Sequence, residues 1–322
     1  MRLPKVLRRA IGATIMASLA SASVIAQNAF PSRPVTLIVP YAPGGAVDGT
    51  ARALAQELGK SLGQSVIVEN KPGASGMLGA SILKRAPADG QTLLFDTPAS
   101  VMNPLVHAKP LFEAKDLRPV AQVMQMPYVI AIAPDVGNSF ADLMAQLRAK
   151  PGALNAASSG TSSQLFAELF GLQTRTRFLH IVYSGAAPAL LSVMKNETQL
   201  TAMDVPNIES FITSGKLHGV VVTGSKRSPA LPNVPAASEV GIPGFDATTW
   251  YGVFAPNETP TWIVERLNEH IRKALKTKDV ADYMLAHGAT PVDASASDFA
   301  AFYLSEVQRW KTVVQQAGIE LQ

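Results

Sequence analysis

Short apolar segments alternate with amphipathic segments along nearly the whole chain, and this alternation constrains the fold more than any other feature. The apolar segments carry Val, Ile and Leu at consecutive positions, which is typical of strands covered on both faces. Strands are predicted at Val35–Val39, Ser65–Glu69, Thr92–Phe95, Val120–Gln125, Tyr128–Ala133, Leu154–Ala157, Phe178–Tyr183, Gln199–Met203, Leu217–Thr223 and Thr249–Phe254. Helices are predicted at Asp48–Leu62, Met77–Arg85, Phe140–Ala149, Ser162–Leu172, Pro188–Lys195, Ile208–Ser214, Trp262–Thr277, Val280–His287 and Ala296–Gln316. The pattern predicts an α/β fold with mostly parallel sheets flanked by helices.

Two segments indicate that the chain passes between two lobes. In the first, two apolar runs meet at Met126-Pro127, where a proline without an N–H is expected to break the strand. In the second, between Ser225 and Pro243, closely spaced prolines predict a stiff connector. We therefore expect lobe 1 to comprise residues 27–126 plus 228–322 and lobe 2 to comprise residues 127–227. Two crossings of this kind form a hinge around a cleft.

The first 26 residues have the pattern of an export signal. Basic residues precede an apolar stretch of small residues from Ala10 to Ala26, which predicts cleavage near Ala26. A membrane span needs about 20 mostly apolar residues, so an uncleaved anchor is the weaker interpretation. The pair Arg8-Arg9 leaves twin-arginine export open beside the favoured general secretory route. The sequence predicts an exported protein that is free of the membrane.

The charge balance argues against a nucleic-acid partner. The chain has 28 Lys and Arg against 24 Asp and Glu, and the predicted signal carries four of the basic residues and no acidic one. The remaining chain is formally neutral, whereas affinity for nucleic acid depends on a basic surface. Cysteine is absent, which excludes disulfides and thiolate metal sites, and the histidines lack the spacing of a zinc motif. We expect neither a cofactor nor a metal.

A glycine-rich loop from Pro40 to Asp48 joins the first predicted strand to the first predicted helix. Gly44 and Gly45 allow a ligand to approach the backbone, and the N–H groups of the following helix favour an anion such as a carboxylate. Asp48 can instead cap the helix and satisfy the same N–H groups, so a purely structural turn remains open.

Two further loops follow strands in the same way. Five hydroxyls surround Gly160 in the segment from Ser158 to Gln164, which is either a donor-rich ligand loop or a capped turn. Tyr183-Ser184-Gly185 ends another strand ahead of Pro188. Ligands bind at the carboxyl ends of strands in open α/β sheets, so three such loops together predict a small-molecule site.

Six segments follow one another in the order and spacing of Bug-type receptors, the periplasmic solute-binding proteins of tripartite tricarboxylate transporters. The segments are Pro40 to Asp48, Val68-Glu69-Asn70-Lys71-Pro72-Gly73-Ala74, Ala88-Asp89-Gly90-Gln91-Thr92-Leu93-Leu94, Ser158 to Phe170, Lys226-Arg227-Ser228-Pro229-Ala230-Leu231-Pro232-Asn233-Val234-Pro235 and Trp250-Tyr251-Gly252-Val253-Phe254-Ala255-Pro256. The chain resembles that family from Pro31 to Ile319. The resemblance implies a two-lobed periplasmic binding protein of type II topology, monomeric, which holds a small organic acid between its lobes and passes it to membrane transporter subunits.

The resemblance also implies a set of ligand-binding positions at strand ends in both lobes. These positions are Tyr41, Gly44, Gly45, Asp48, Thr97, Ala99, Ser158, Gly160, Thr161, Ser162, Tyr183, Gly185 and Asp204.

The chain departs from the family pattern in ways that reduce hydrogen-bond donors. Ala46 and Val47 replace a glycine and a threonine, Gln164 replaces a histidine, and Asp96 places an acid where small polar residues are common. A buried anion without partners is costly. We therefore expect a monocarboxylate, or a ligand that pairs one carboxylate with an amine or a neutral ring.

Two alternative functions remain at this point. The same fold can serve as an extracytoplasmic sensor that presents its ligand to a signalling partner. A serine hydrolase that uses Ser158 or Ser162 with a distant histidine is the less favoured alternative, because the chain has no G-x-S-x-G nucleophile elbow.

Overall fold

A computed structural model describes residues 30–245 and 248–319. The predicted signal peptide and its cleavage site at Ala26 lie outside these residues. The strands β1 to β10 are, in order, Val35–Val39, Val66–Asn70, Thr92–Asp96, Leu117–Ile132, Asn155–Ser158, Leu179–Val182, Leu200–Asp204, His218–Val222, Thr248–Pro256 and Thr290–Pro291. The helices α1 to α10 are, in order, Ala46–Leu62, Met77–Lys84, Ala99–Val106, Phe140–Ala149, Thr161–Thr174, Ala186–Met194, Val205–Thr213, Thr261–Leu275, Lys278–Ala286 and Ala296–Ala317. The predicted α/β class is confirmed.

The strands form two groups that meet along β4. The order is β2-β1-β3-β9-β4-β7-β5-β6, and β8 and β10 also pair with β4. In lobe 1, strands β1, β2 and β3 are mutually parallel, and the returning strand β9 lies antiparallel between β3 and the first half of β4. In lobe 2, strands β5, β6 and β7 are parallel to one another and the second half of β4 opposes β7. The carboxyl ends of the parallel strands therefore lie together at one edge in each lobe.

The predicted break at Met126-Pro127 is wrong, because β4 runs through it without interruption. Pro127 is paired with Thr248, the first residue of β9, and the next residue Tyr128 is already paired with Asp204 of β7. The missing N–H of a proline is tolerated where a ladder ends. The proline marks the point at which β4 exchanges one partner strand for another, and it does not end the strand.

Helix α3 and the short strand β10 are not predicted by the pattern. Helix α3 contains Pro104, which cannot donate a hydrogen bond to the carbonyl of Ser100 one turn earlier. The hydroxyl of Tyr303 donates to that carbonyl instead, at 3.2 Å. A partner distant in sequence therefore stabilises a helix that local signals argue against.

Aromatic packing connects the two lobes beside β4. The ring of Tyr128 stacks on Phe166 of α5 with centroids 3.9 Å apart, and Phe166 contacts Trp310 of α10 at 4.9 Å. The buried carboxylate of Glu306 accepts hydrogen bonds from the indoles of Trp250 and Trp310, at 3.0 and 3.1 Å. The carboxy-terminal helix is thus fixed against both β9 and lobe 2. None of the helices within residues 30–245 and 248–319 is long and apolar enough to cross a membrane.

Candidate functional site

The loop between β1 and α1 is held by the carboxylate of Asp48. Its Oδ2 accepts from the backbone N–H of Gly44 at 2.9 Å and from Arg52 Nε at 3.0 Å, and its Oδ1 accepts from Asn70 at 2.9 Å. Burial opposes ionisation of Asp48, but the hydrogen bonds from Arg52, Gly44 and Asn70 outweigh it and keep the pKa of the carboxyl below its usual value. All of these contacts lie within lobe 1, so Asp48 holds the loop in place through residues of its own lobe.

Three helices begin at glycines of the predicted loops and carry no capping side chain. They are α1, α5 and α6, which begin after Gly45, Gly160 and Gly185. Each glycine borders open space, since a Cβ placed on it meets no atom within 4 Å. The first N–H groups of a helix have no partner inside the helix and carry partial positive charge. Together the three helix starts offer free donors at the carboxyl ends of β1, β5 and β6.

The end of β3 adds a buried polar group beside the first loop. The hydroxyl of Tyr41 donates to Asp96 Oδ1 at 2.8 Å and lies 2.9 Å from the hydroxyl of Thr97, and the N–H of Thr97 also donates to Asp96 Oδ1. The backbone N–H of Ala99 donates to Thr97 Oγ1 at 3.2 Å. Asp96 is 2% exposed. Burial raises its pKa to about 7, although the hydrogen bonds from the N–H of Thr97 and the hydroxyl of Tyr41 lower it. The carboxyl therefore changes its charge near neutral pH.

A second acid, the partly buried Asp204, lies where the two lobes meet. The hydroxyl of Tyr251 in lobe 1 donates to Asp204 Oδ2 at 3.3 Å, and the amide of Asn207 donates to Oδ1. Burial raises the pKa of Asp204 above its usual value. Burial also raises the pKa of Tyr251, with added contributions from Asp204, Tyr128 and Tyr41. The cluster thus joins the ends of β1 and β7 to the interior of β4 and β9.

Ser158 belongs to a chain of polar contacts inside lobe 2. Its Oγ lies 3.1 Å from Nδ1 of His180, whose Nε2 lies 2.9 Å from Glu168 Oε1. Ser158 has no exposed surface, so no substrate can reach its hydroxyl. The contacts connect the end of β5 with β6 and α5, and they support the loop that begins at Gly160.

The other predicted residues of lobe 2 lie nearer the surface. Thr161, Ser162 and Tyr183 are each partly buried, and the backbone N–H of Tyr183 donates to the carbonyl of Ser158 at 2.8 Å. This bond aligns the loop after β6 with the loop after β5.

Sequence reasoning missed four residues that shape the site. Arg52 and Asn70 fix Asp48, and Tyr128 and Tyr251 surround Asp204. The run Val68 to Ala74 already contained Asn70, but nothing in the local sequence shows that its amide reaches a loop 22 residues earlier. Among the residues with a described placement, none of the His, Asp and Glu side chains form a group able to hold a metal ion.

Comparison with known proteins gives a consistent match. The family model described as the tripartite tricarboxylate transporter family receptor matches residues 50–319. Protein BugT of Bordetella pertussis is 37% identical over 308 residues, which cover 93% of this chain and 94% of that protein.

Solved structures agree with this match. The R. palustris protein Rpa4515, determined with adipate, has a TM-score of 0.82 at 32% identity and covers 90% of this chain and 99% of its own. MatC from Rhodopseudomonas palustris, determined with bound malate, has a TM-score of 0.79 at 29% identity and covers 88% of this chain and 99% of its own. The matched family is one of transporter receptors and not of enzymes, which agrees with the inaccessible hydroxyl of Ser158.

Proposed function

Because the chain belongs to the tripartite tricarboxylate transporter receptor family, we propose that it binds a small carboxylate between its lobes and delivers it to membrane transporter subunits. The observation that carries the proposal is the set of three uncapped helix starts at Gly45, Gly160 and Gly185. Each presents free N–H groups to open space, which is the arrangement that binds an anion at a helix N-terminus.

The binding energy in this proposal comes from backbone donors and hydroxyls. Of the cationic side chains in residues 30–245 and 248–319, only Arg52 contacts one of the thirteen predicted site residues by an ion pair, and it is engaged by Asp48. A micromolar receptor needs about −8 kcal/mol. Hydrogen bonds to a charged group contribute about 1.5 to 3 kcal/mol each, so a few N–H contacts together with Thr161 and Ser162 are sufficient.

The two acids at the ends of β3 and β7 favour a ligand with one carboxylate. Asp96 and Asp204 are the last residues of β3 and β7, and the groups that contact them are hydroxyls and amides. A second carboxylate of the ligand beside either acid would be repelled when that acid is ionised. Adipate and malate each carry two carboxylates, so we propose that this chain differs in preference from the proteins determined with those ligands.

The remaining features of the proposal concern location, shape and assembly. We propose export with cleavage near Ala26, a periplasmic monomer, and lobe boundaries at residues 126/127 and 227/228. Both boundaries fall near the places where the chain passes between the strand groups, since β4 exchanges partners after Pro127 and β8 ends at Val222. Ligand that touches both lobes then favours the closed state over the open one.

A thermal-shift panel on the purified protein tests the function. Acetate, benzoate, adipate, malate and citrate are compared at equal concentration, and hits are measured by calorimetry. We expect a monocarboxylate to give the largest rise in melting temperature. Tight citrate binding with no response to monocarboxylates would refute the ligand preference, and no response to any carboxylate or to a co-purified molecule sought by native mass spectrometry would refute the function.

The pH dependence of ligand affinity separates two proposed ligand types, a purely anionic ligand and a ligand that pairs its carboxylate with an amine. Asp96, with its pKa of about 7, becomes negative as pH rises from 6 to 8. A purely anionic ligand then binds more weakly, whereas a ligand with an amine near Asp96 binds more tightly. Calorimetry at both pH values gives the sign.

A further inference from the structure

Strand β6 forms an uncovered edge of the lobe 2 strands. It is the last strand in the order, and among the described residues only β5 pairs with it. The side chains of Leu179, Ile181 and Val182 are 60%, 41% and 57% exposed. Parallel strands are normally covered on both faces, so apolar side chains of this size are usually buried in them. Because successive side chains alternate between faces, both faces of β6 present apolar surface beside the open edge.

The backbone of β6 also has hydrogen-bonding groups that point away from its neighbour. The N–H groups of Leu179 and Tyr183 donate to carbonyls at the start and the end of the β5 segment, at 3.0 and 2.8 Å. These groups alternate in direction along a strand, so the N–H and C=O groups of His180 and Val182 face the other way. No backbone group within residues 30–245 and 248–319 bonds to them. An unpaired edge of this kind is a template for an added strand.

The features that normally protect an edge are missing from β6. Proteins place charged residues, prolines or bulges on edge strands to prevent pairing. Residues 179–182 contain no Lys, Arg, Asp, Glu or Pro, and the ring of His180 contacts Ser158 and Glu168. The ladder with β5 is regular over the whole of β6. The edge is therefore open to an extended partner.

Two exposed arginines precede β6, and neither Arg175 nor Arg177 forms an ion pair with a carboxylate of the described residues. Arg227, in comparison, is paired with Glu239 at 2.9 Å. The carbonyl of Arg177 accepts from the N–H of Gly152 at 3.0 Å, which holds this residue at the start of the edge. Carboxylates on an occupant at this end of β6 would complement the two guanidinium groups.

A second copy of this chain does not supply those carboxylates. If two β6 strands paired antiparallel about a twofold axis, the arginines of one copy would lie opposite the segment Tyr183 to Pro188 of the other. That segment contains no Asp or Glu. The charges therefore favour a different protein as the occupant.

We propose that β6 accepts an extended segment of a partner protein as an added strand, with apolar residues at alternate positions and acidic residues beside Arg175 and Arg177. The free N–H and C=O groups of β6 supply affinity, and contacts with Leu179 and Ile181 supply specificity. None of the thirteen predicted ligand-binding positions lies in β6, so the proposal does not depend on the ligand of the cleft.

The test titrates the purified protein, without a carboxylate ligand, with short synthetic peptides of alternating valine and threonine whose termini are acetylated and amidated. One peptide ends in two glutamates, a second begins with two glutamates, and a third carries lysines in their place. We expect an acidic peptide to cause saturable shifts of the backbone amide signals of His180 and Val182. The lysine peptide should bind about fivefold more weakly, as expected for exposed charges. The acidic peptide that binds more tightly gives the direction of the added strand.

Val182→Pro removes one outward N–H group and leaves the ladder with β5 intact, because proline is tolerated where the N–H faces away from the sheet. It should weaken peptide binding by about tenfold, whereas Val182→Thr, which keeps the N–H and the branched side chain, should bind as the parent does.

Arg177→Glu should reverse the preference, so that the lysine peptide binds more tightly than the acidic ones. Lys216→Glu makes the same change of charge at an exposed position next to β8, at the opposite end of the lobe 2 strands, and is the matched control. It should leave the binding of all three peptides unchanged.

The proposal is overturned if no acidic peptide shifts the amides of His180 and Val182, or if Arg177→Glu retains the preference for acidic peptides. Parent-like binding by Val182→Pro, with a parent-like melting temperature, also overturns it. Dimerisation of the parent that Val182→Pro abolishes, measured by sedimentation, would assign the edge to a second copy and refute the partner segment. Shifts confined to the amides of Gly45 and Gly160 would place the peptide in the cleft and refute docking at β6.

Discussion

The helices that begin with a capping box and the helices that begin at the three loop glycines differ in which groups satisfy the first N–H groups. Helices α4 and α10 begin with complete capping boxes, in which Ser139 accepts from the N–H of Asp142 at 3.2 Å and Ser295 accepts from the N–H of Asp298 at 3.1 Å. Helices α1, α5 and α6 begin at glycines without any cap. Capping typically stabilises a helix by about 1 kcal/mol. The three glycine starts lack this stabilisation, as do the starts of α2, α3, α7, α8 and α9 among the described helices. We propose that the donors at the three glycine starts are left to a ligand.

The acids near the two kinds of helix start also differ, in the charge that they carry near neutral pH. Hydrogen bonds from Ser139 and from the backbone N–H of Asn138 lower the pKa of Asp142, and the hydroxyl and backbone of Ser295 lower that of Asp298. Beside the loop between β1 and α1, burial raises the pKa of Asp96 to about 7. Acids in the capping boxes are thus ionised at neutral pH and structural. Asp96, beside the uncapped start of α1, is charged only part of the time near neutral pH, and we propose that its charge discriminates among ligands.

The largest expected effect comes from adding a cap where the cleft has none. Gly45 has φ −82° and borders open space, so Gly45→Asp fits without strain, unlike substitutions at Gly160 and Gly185, whose φ values are +145° and +140°. The new carboxylate would occupy the N–H groups of α1 and repel an anionic ligand. We expect ligand affinity to fall by about 100-fold or more, equivalent to about 3 kcal/mol, measured by calorimetry.

The same variant should be slightly more stable than the parent, by a few tenths of a kcal/mol, because Asp is a better N-cap than Gly. Gly45→Ala is the control, since it adds a side chain without an acceptor and should retain most of the affinity. Unchanged affinity in Gly45→Asp would contradict the assignment of this helix start to the ligand.

The second prediction concerns Asp96 and pH. The pKa of about 7 in the folded protein exceeds the ordinary value of 3.8, so the folded state holds the proton more tightly than the unfolded chain. The free energy of unfolding should therefore fall as pH rises from about 4 to 7 and then level off. Asp96→Asn should remove this component, as measured by urea unfolding at several pH values.

Ligand affinity should follow the same titration. A charge about 10 Å from the ligand at an effective dielectric constant of about 20 contributes on the order of 1.5 kcal/mol, or about tenfold. We expect affinity for an anionic ligand to fall by about this factor between pH 6 and pH 8 in the parent and to stay constant in Asp96→Asn. An identical pH profile in both proteins would show that Asp96 does not sense the ligand.

Local sequence signals were sufficient for most of the fold. Helix Phe140–Ala149 and strand Val35–Val39 occupy the predicted residues, because their apolar periodicity agrees with their burial and Ser139 marks the helix start. The signals failed where a distant partner overrides a local preference. Pro127 continues a strand because the ladder changes partner there. The α3 segment is helical although it contains Pro104, because Tyr303 supplies the missing hydrogen bond.

In the candidate site too, features set by the local sequence were predicted, and features that depend on distant partners were not. The glycine loops were found from sequence because the need for close approach and for a helix start is local. The roles of Asp48 and Ser158 were not predicted from sequence. These roles depend on Arg52, Asn70 and His180, which reach the two residues only in the folded chain. Such contacts decide whether an acid at a helix start binds a ligand or stabilises its own loop.

The smallest expected effect comes from removing a cap at the other kind of helix start. Ser139→Ala and Ser295→Ala each delete the acceptor for one N–H group and the hydroxyl that donates to Asp142 or Asp298. We expect a loss of about 1 kcal/mol in the free energy of unfolding for each, measured with urea, and no change in ligand affinity. Ser305→Ala, within α10 and away from its cap, is the matched control and should cost nothing because alanine favours helix. A large loss of affinity in either cap variant would mean that helix starts distant from the glycine loops also govern binding, and the contrast between the two kinds of helix start would no longer hold.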